Sequence, residues 1–169
     1  SMWFNVPLTT AAGLFELTVG MGTTWTATVS TTGTLSVGDG STGFGQVGAI
    51  TANTWNHMVY VVDFNAGVGT LTVFLNGAQM GTQGGFTTNM SNPQQMRFGR
   101  SDGNYFKDGY LDDVAVFREP LTLSETQTLF YCSLDPYESY PKLILCHLSN
   151  RSDSSVTKMV YVIHNALSI

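Results

Sequence analysis

Over residues 1–130 the chain never sustains one pattern for long. β-prone runs of about five to eight residues alternate with clusters of Gly, Asn, Asp, Ser and Thr, as short strands joined by turns do. All 18 glycines fall in this stretch and none in the 39 residues that follow. "GLFELTVG", "TTWTATVS", "GTLSVGDG", "HMVYVVDF", "TLTVFLNG", "QQMRFGR" and "GYLDDVAVFR" all fit. In "TTWTATVS", Trp25, Ala27 and Val29 share one face and Thr24, Thr26, Thr28 and Ser30 the other, the alternation of a half-buried strand. Short strands at this spacing predict an all-β sandwich or barrel.

The segment "NTWNHMVYVVDFNAGVGTLTVFLNG" shows the local logic. Residues 57–64 and 70–76 read as successive strands around "NAGVG", a hairpin loop with room for a bulge. Asn76-Gly77 marks a second tight reversal, because both residues tolerate positive φ. Trp55 is placed to cover the core's open edge. His57 beside it reads as a strand-end histidine bonded to a neighbouring carbonyl, since no second His or Cys lies nearby to complete a metal or proton-transfer site. "LTLSETQTLF" is the helical exception, capped by Thr122 or Ser124 and seated by Leu129 and Phe130.

Composition narrows the function classes. Charged residues are 11% of the chain and the net charge is -5, with seven Lys and Arg that never cluster, which excludes a nucleic-acid footprint. No apolar run reaches membrane-spanning length and no signal peptide is visible; the leading Ser-Met reads as an expression scar. Residues 131–169 form a β-prone tail in which "KLILCHL" and "TKMVYVIHNALSI" read as strands around "SNRSDSS". Cys132 and Cys146 are a disulfide or two separate thiols.

Four features taken in order, "TWNHMVYVVD", "LTVFLNGAQMG", "MRFGR" and "FKDGYLDDVAVFREPLTLSETQTLF", resemble the laminin-G-like, or concanavalin A-like, jelly-roll family. The family pattern of Trp-x-His, Asn-Gly, Gly-Arg, Gly-x-Ile-Asp-Asp/Glu-Val and Leu-Ser-x-x-Glu falls on Trp55 and His57, Asn76 and Gly77, Gly99, Gly109 to Val114, and Leu123 to Glu125. The resemblance implies a two-sheet antiparallel jelly-roll sandwich over 1–130 with a short helix near 122–130. Its members usually carry one or two strands ahead of the segment that "MWFNVP" resembles. A tail strand, "KMVYVIH" foremost, is expected to fill the edge so exposed, in cis or from a neighbouring molecule, and an edge strand or the tail also offers a route to a homo-oligomer.

The function that this resemblance implies is a non-catalytic binding module for carbohydrate or another extracellular ligand, at an extracellular, cell or virion surface. A structural or adhesion domain of a larger surface or viral-particle protein is the alternative. A glycoside hydrolase is a further one, disfavoured because Glu16, Glu119, Glu125 and Glu138 form no Glu-x-Asp-x-x-Glu-like run. The loop "GRSDGNYFKDG" is the candidate contact surface. Arg100, Asp102, Asn104 and Tyr105 set planar hydrogen-bonding groups beside an aromatic ring, as sugar recognition requires. The competing reading anchors Tyr105 and Phe106 to the core. Asp112 matches a recurrent family position, and with it calcium is the one cofactor implied. Alternation places Asp112 inward with Val114 and Val116, where a purely structural carboxylate would accept loop N–H groups.

Overall fold

The computed structural model describes residues 1–19, 24–38, 43–65, 68–86, 93–101, 104–132 and 167–168. Among the described residues, twelve strands and one helix build the sandwich body. They are β1 Met2–Asn5, β2 Ala12–Val19, β3 Thr24–Val29, β4 Thr34–Gly38, β5 Gly43–Ala49, β6 Asn56–Asn65, β7 Val68–Leu75, β8 Ala78–Phe86, β9 Pro93–Phe98, the short β10 Arg100–Ser101 and β11 Asn104–Tyr105, then β12 Tyr110–Asp112 and α1 Leu123–Cys132. Near the C-terminus, β13 Leu167–Ser168 adds a further short strand. Sheet A runs β13-β12-β1-β6-β7-β8 and sheet B runs β5-β4-β3-β2-β9, with β10 and β11 a separate hairpin. Pairings within both sheets are antiparallel, the expected all-β jelly-roll sandwich.

The core lies between the sheets. Trp25, Ala27 and Val29 are fully buried, as their alternation requires, against Phe4, Leu14, Leu35, Leu71 and Val73. Sheet A also buries its other face, where Val59, Val61 and Phe74 pack with Leu121, Leu129 and Phe117. Helix α1 supplies that cover. Its start is a capping box: the Glu125 N–H donates to Thr122 Oγ1 at 3.3 Å, and the Thr122 N–H donates back to Glu125 Oε2 at 2.8 Å. Phe130 then stacks on Trp3 with ring centroids 5.6 Å apart.

The Asn76-Gly77 reversal joins Leu75 to its partner Ala78 through two residues with φ of 51° and 77°, the positive values of a primed hairpin turn. A Cβ at residue 77 would lie 2.8 Å from a Phe130 ring carbon, so the turn and the helix docking both call for Gly77. The turn also pins the start of β6. The His57 N–H donates to Asn76 Oδ1 at 2.8 Å, and the Asn76 N–H donates to the His57 carbonyl at 2.8 Å.

One sequence expectation fails at β12. Trp3 pairs with Asp112, but Ser1 exchanges backbone hydrogen bonds with Ala115 instead of Val114, so one extra residue is inserted. Asp113, at φ 47°, takes up the insertion as a β-bulge. The parity of the alternation therefore changes. Leu111 and Val114 both reach the core, Asp113 is buried, Asp112 is only half-buried on the face of Trp3, and Val116 is 65% exposed.

Of the tail, Leu167–Ser168 lie antiparallel beside β12, pairing Leu111 with Leu167 and Tyr110 with Ser168. "KLILCHL", "KMVYVIH" and Cys146 lie outside the described residues.

Candidate functional site

The hairpin β10–β11 leaves sheet B directly after β9. Gly99, at φ 73°, makes the bend while its N–H donates to the Leu14 carbonyl at 2.9 Å, and the Phe106 N–H closes the base on the Gly99 carbonyl at 2.9 Å. The register faces Arg100 with Tyr105 and Ser101 with Asn104. Phe106 is buried and ties the hairpin to the core. At the following turn Gly109 has φ 141°, and a Cβ there would sit 2.2 Å from the Asn5 carbonyl oxygen, so the chain passes β1 only as glycine.

Of the sequence-predicted contact residues, the structure brings Arg100 and Tyr105 together. The Arg100 guanidinium carbon lies 5.2 Å from the Tyr105 ring centroid, a cation–π pair. Tyr105 is 50% exposed, so it is Phe106 and not Tyr105 that serves as the anchor. Arg100 Nε and Ser101 Oγ are buried without a hydrogen-bond partner among the described residues. Asp102 lies outside the described residues, and of Asn104 only the backbone is described.

Asp112 stands apart from this hairpin. Its Oδ1 accepts the Asp113 N–H at 2.8 Å, so the carboxylate holds the bulge. Among the described residues no three His, Cys, Asp or Glu side chains cluster as a metal site. A calcium cage needs several converging oxygens, and the described side chains around Asp112 do not fit one.

Two polar features have partners that the sequence did not show. On the outer face of sheet B, Glu16 of β2 is ion-paired to Arg97 of β9, a contact set by their register and flanked by Thr26 of β3. Sequence separation hid the pair; only the β2–β9 alignment exposes it. The strands beside Glu16 thus present an arginine and a threonine to it, not the second carboxylate of a glycosidase. The other feature is His57, which is buried between Trp3 and Phe130, with ring centroids 4.9 and 5.8 Å away. Its Nε2 bonds the Ser1 hydroxyl at 2.9 Å, where a carbonyl was expected. Burial, then the neighbouring N-terminal amine, lowers its pKa to about 3; burial alone lowers that amine's pKa to about 5. Trp55, expected at the core's open edge, is half-buried with its ring 6.2 Å from Tyr110.

No helix among the described residues is long and apolar enough to cross a membrane. Comparison with curated proteins finds no match to the chain. A family profile described as the concanavalin A-like lectin/glucanases superfamily, of laminin G type, matches residues 1–127, which takes in β1 to β12, the hairpin included. Laminin-G-like domains are typically non-catalytic binding modules. With the sandwich, the sheet order and this match in agreement, the chain belongs to the laminin-G-like family of the concanavalin A-like superfamily.

Proposed function

We propose that the protein is a carbohydrate-binding module of an extracellular or cell-surface protein, and that the β10–β11 hairpin is its contact surface. The Arg100–Tyr105 pair carries this reading. An aromatic ring half open to solvent covers the apolar face of a pyranose, and a guanidinium held over it supplies planar donors to ring hydroxyls or a carboxylate. Asp102 and Asn104 complete the proposed set. No metal enters the proposal.

A glycan-array screen of the full chain, run with calcium and with chelator, tests it. Binding to at least one glycan is expected, with Tyr105→Ala and Arg100→Ala each weakening it by roughly tenfold or more, the scale of a lost stacking or charge-assisted contact. Binding that survives both substitutions would place the ligand elsewhere on the sandwich. No binding in either condition would overturn the reading.

A further inference from the structure

At one end of sheet A an aromatic row stands clear of the helix. Asn5 pairs with Tyr110, and the β1–β6 register, carried one residue past Phe4 opposite Asn56, sets Trp55 on the other side of Asn5. Strand alternation puts these three side chains on the outer face, the face of Trp3 and His57 two residues along. Phe130 of α1 covers Trp3 and His57, with ring centroids 5.6 and 5.8 Å away, whereas Tyr110 is 47% exposed. β12 and β6 flank β1 and so lie two strand spacings apart, roughly 10 Å. The Trp55 and Tyr110 ring centroids are only 6.2 Å apart, so the rings lean together over Asn5.

Both ends of the row are held in place. Asn56 Nδ2 donates to the Thr51 carbonyl at 3.3 Å and to the Thr54 carbonyl at 3.0 Å. The Asn53 N–H, at φ 55°, donates to the Val6 carbonyl at 2.9 Å, which fixes the turn that carries Trp55. Tyr110 is set by the close passage of Gly109 across the Asn5 carbonyl. Two rings and an amide on one pre-set surface suit a sugar, whose apolar face packs on a ring while its hydroxyls meet the amide. The Asn5 amide offers a donor and an acceptor, and sugar hydroxyls match both. A proline-rich strand also packs on aromatic rings, but it lacks the N–H groups to match the acceptor. The exposed groups next in sequence are Thr51, Asn53 and Thr54, with Lys107 and Asp108 of opposite sign, so no net charge is selected. We propose that Trp55, Asn5 and Tyr110 form a second saccharide site, separate from the hairpin, for a pyranose unit of a neutral glycan. This does not depend on the hairpin reading.

Tryptophan emission of the full chain tests it, because Trp3 and Trp25 are 7% and 0% exposed while Trp55 is half-buried. Titration with cellohexaose, xylohexaose, mannohexaose and chitohexaose is expected to quench or shift the emission for at least one of them. Tyr110→Ser and Asn5→Ala are each expected to raise the titration midpoint about fivefold or more, the scale of a lost ring contact or hydrogen bond. Tyr105→Ala is expected to leave it unchanged. Should Tyr110→Ser fail to fold, Asn5→Ala decides alone. Emission indifferent to every hexaose, or a response that survives both substitutions, overturns the proposal. An equal loss in Tyr105→Ala also overturns it, by making the row part of the hairpin's site. A response to a proline-rich decapeptide and to no sugar overturns it by making the partner a polypeptide. A glycan held by the hairpin alone leaves the emission of Trp55 unmoved, so the two sites fail separately.

Discussion

On sheet B, Trp25, Ala27 and Val29 point into the core while Thr24, Thr26 and Thr28 face outward beside Glu16 and Arg97. Sheet A buries both faces. Met58 and Leu71 point into the sandwich, and Val59, Val61 and Phe74 point out beneath α1, Phe117 and Leu121. Two sheets of similar size therefore obey different sequence rules. A strand wet on one side alternates, and a strand covered on both sides reads as a continuous apolar run. "TWTATV" and "HMVYVV" are those two signatures.

The largest expected effect tests this difference directly. Phe74→Ala removes a buried side chain from the outer face of sheet A and is expected to cost about 3–5 kcal/mol in chemical denaturation. Thr28→Ala, equally outward on sheet B, is expected to cost less than about 1 kcal/mol. Equal costs would mean that α1 does not shield sheet A, and the comparison would break.

The features legible in the sequence were those that depend on near neighbours. Trp25 and its alternates, the Asn76-Gly77 turn and the Thr122 cap each rest on a few adjacent residues. The orientation of Asp112 was misread because one αL residue, Asp113, reverses strand parity, and aspartate tolerates that conformation without announcing it. Glu16 with Arg97, and Trp55 beside Tyr110, are products of strand order, which periodicity does not encode. At the hairpin, residue types pointed to the Arg100–Tyr105 pair, but which aromatic faces solvent depended on the core contact made by Phe106.

A second effect concerns the dry outer face of sheet A. His57 is buried there, and its pKa falls from the ordinary 6.5 to about 3. Between those values the unfolded chain takes up a proton that the folded chain does not. Stability contributed by the neutral ring is therefore present above pH 6.5 and is lost as pH falls toward 3, by up to about 1.4 kcal/mol per pH unit. The amine of Ser1 adds the same sign between pH 8 and 5. Denaturation midpoints of His57→Gln are expected to vary less steeply between pH 6 and 4 than those of the native chain, with the slope above pH 7 retained. An unchanged slope below pH 6 would show that the ring is hydrated and that this face is wetter than the structure indicates.

The smallest effect asks whether α1 covers sheet A because it is a stable helix or because the sheet holds it there. Thr122 and Glu125 satisfy N–H groups at the helix start that would otherwise lack partners, and removing such a cap costs about 1 kcal/mol. If docking onto Trp3, Val59 and Phe74 dominates, Thr122→Ala lowers global stability by that amount and leaves the helix in place, because ten residues are too few to form a helix alone in water. Amide exchange along α1 in Thr122→Ala should then slow and quicken together with β6. If instead the helix amides lose protection while those of β6 keep theirs, α1 is a separable flap, and the burial of sheet A's second face is an equilibrium property instead of part of the cooperative fold.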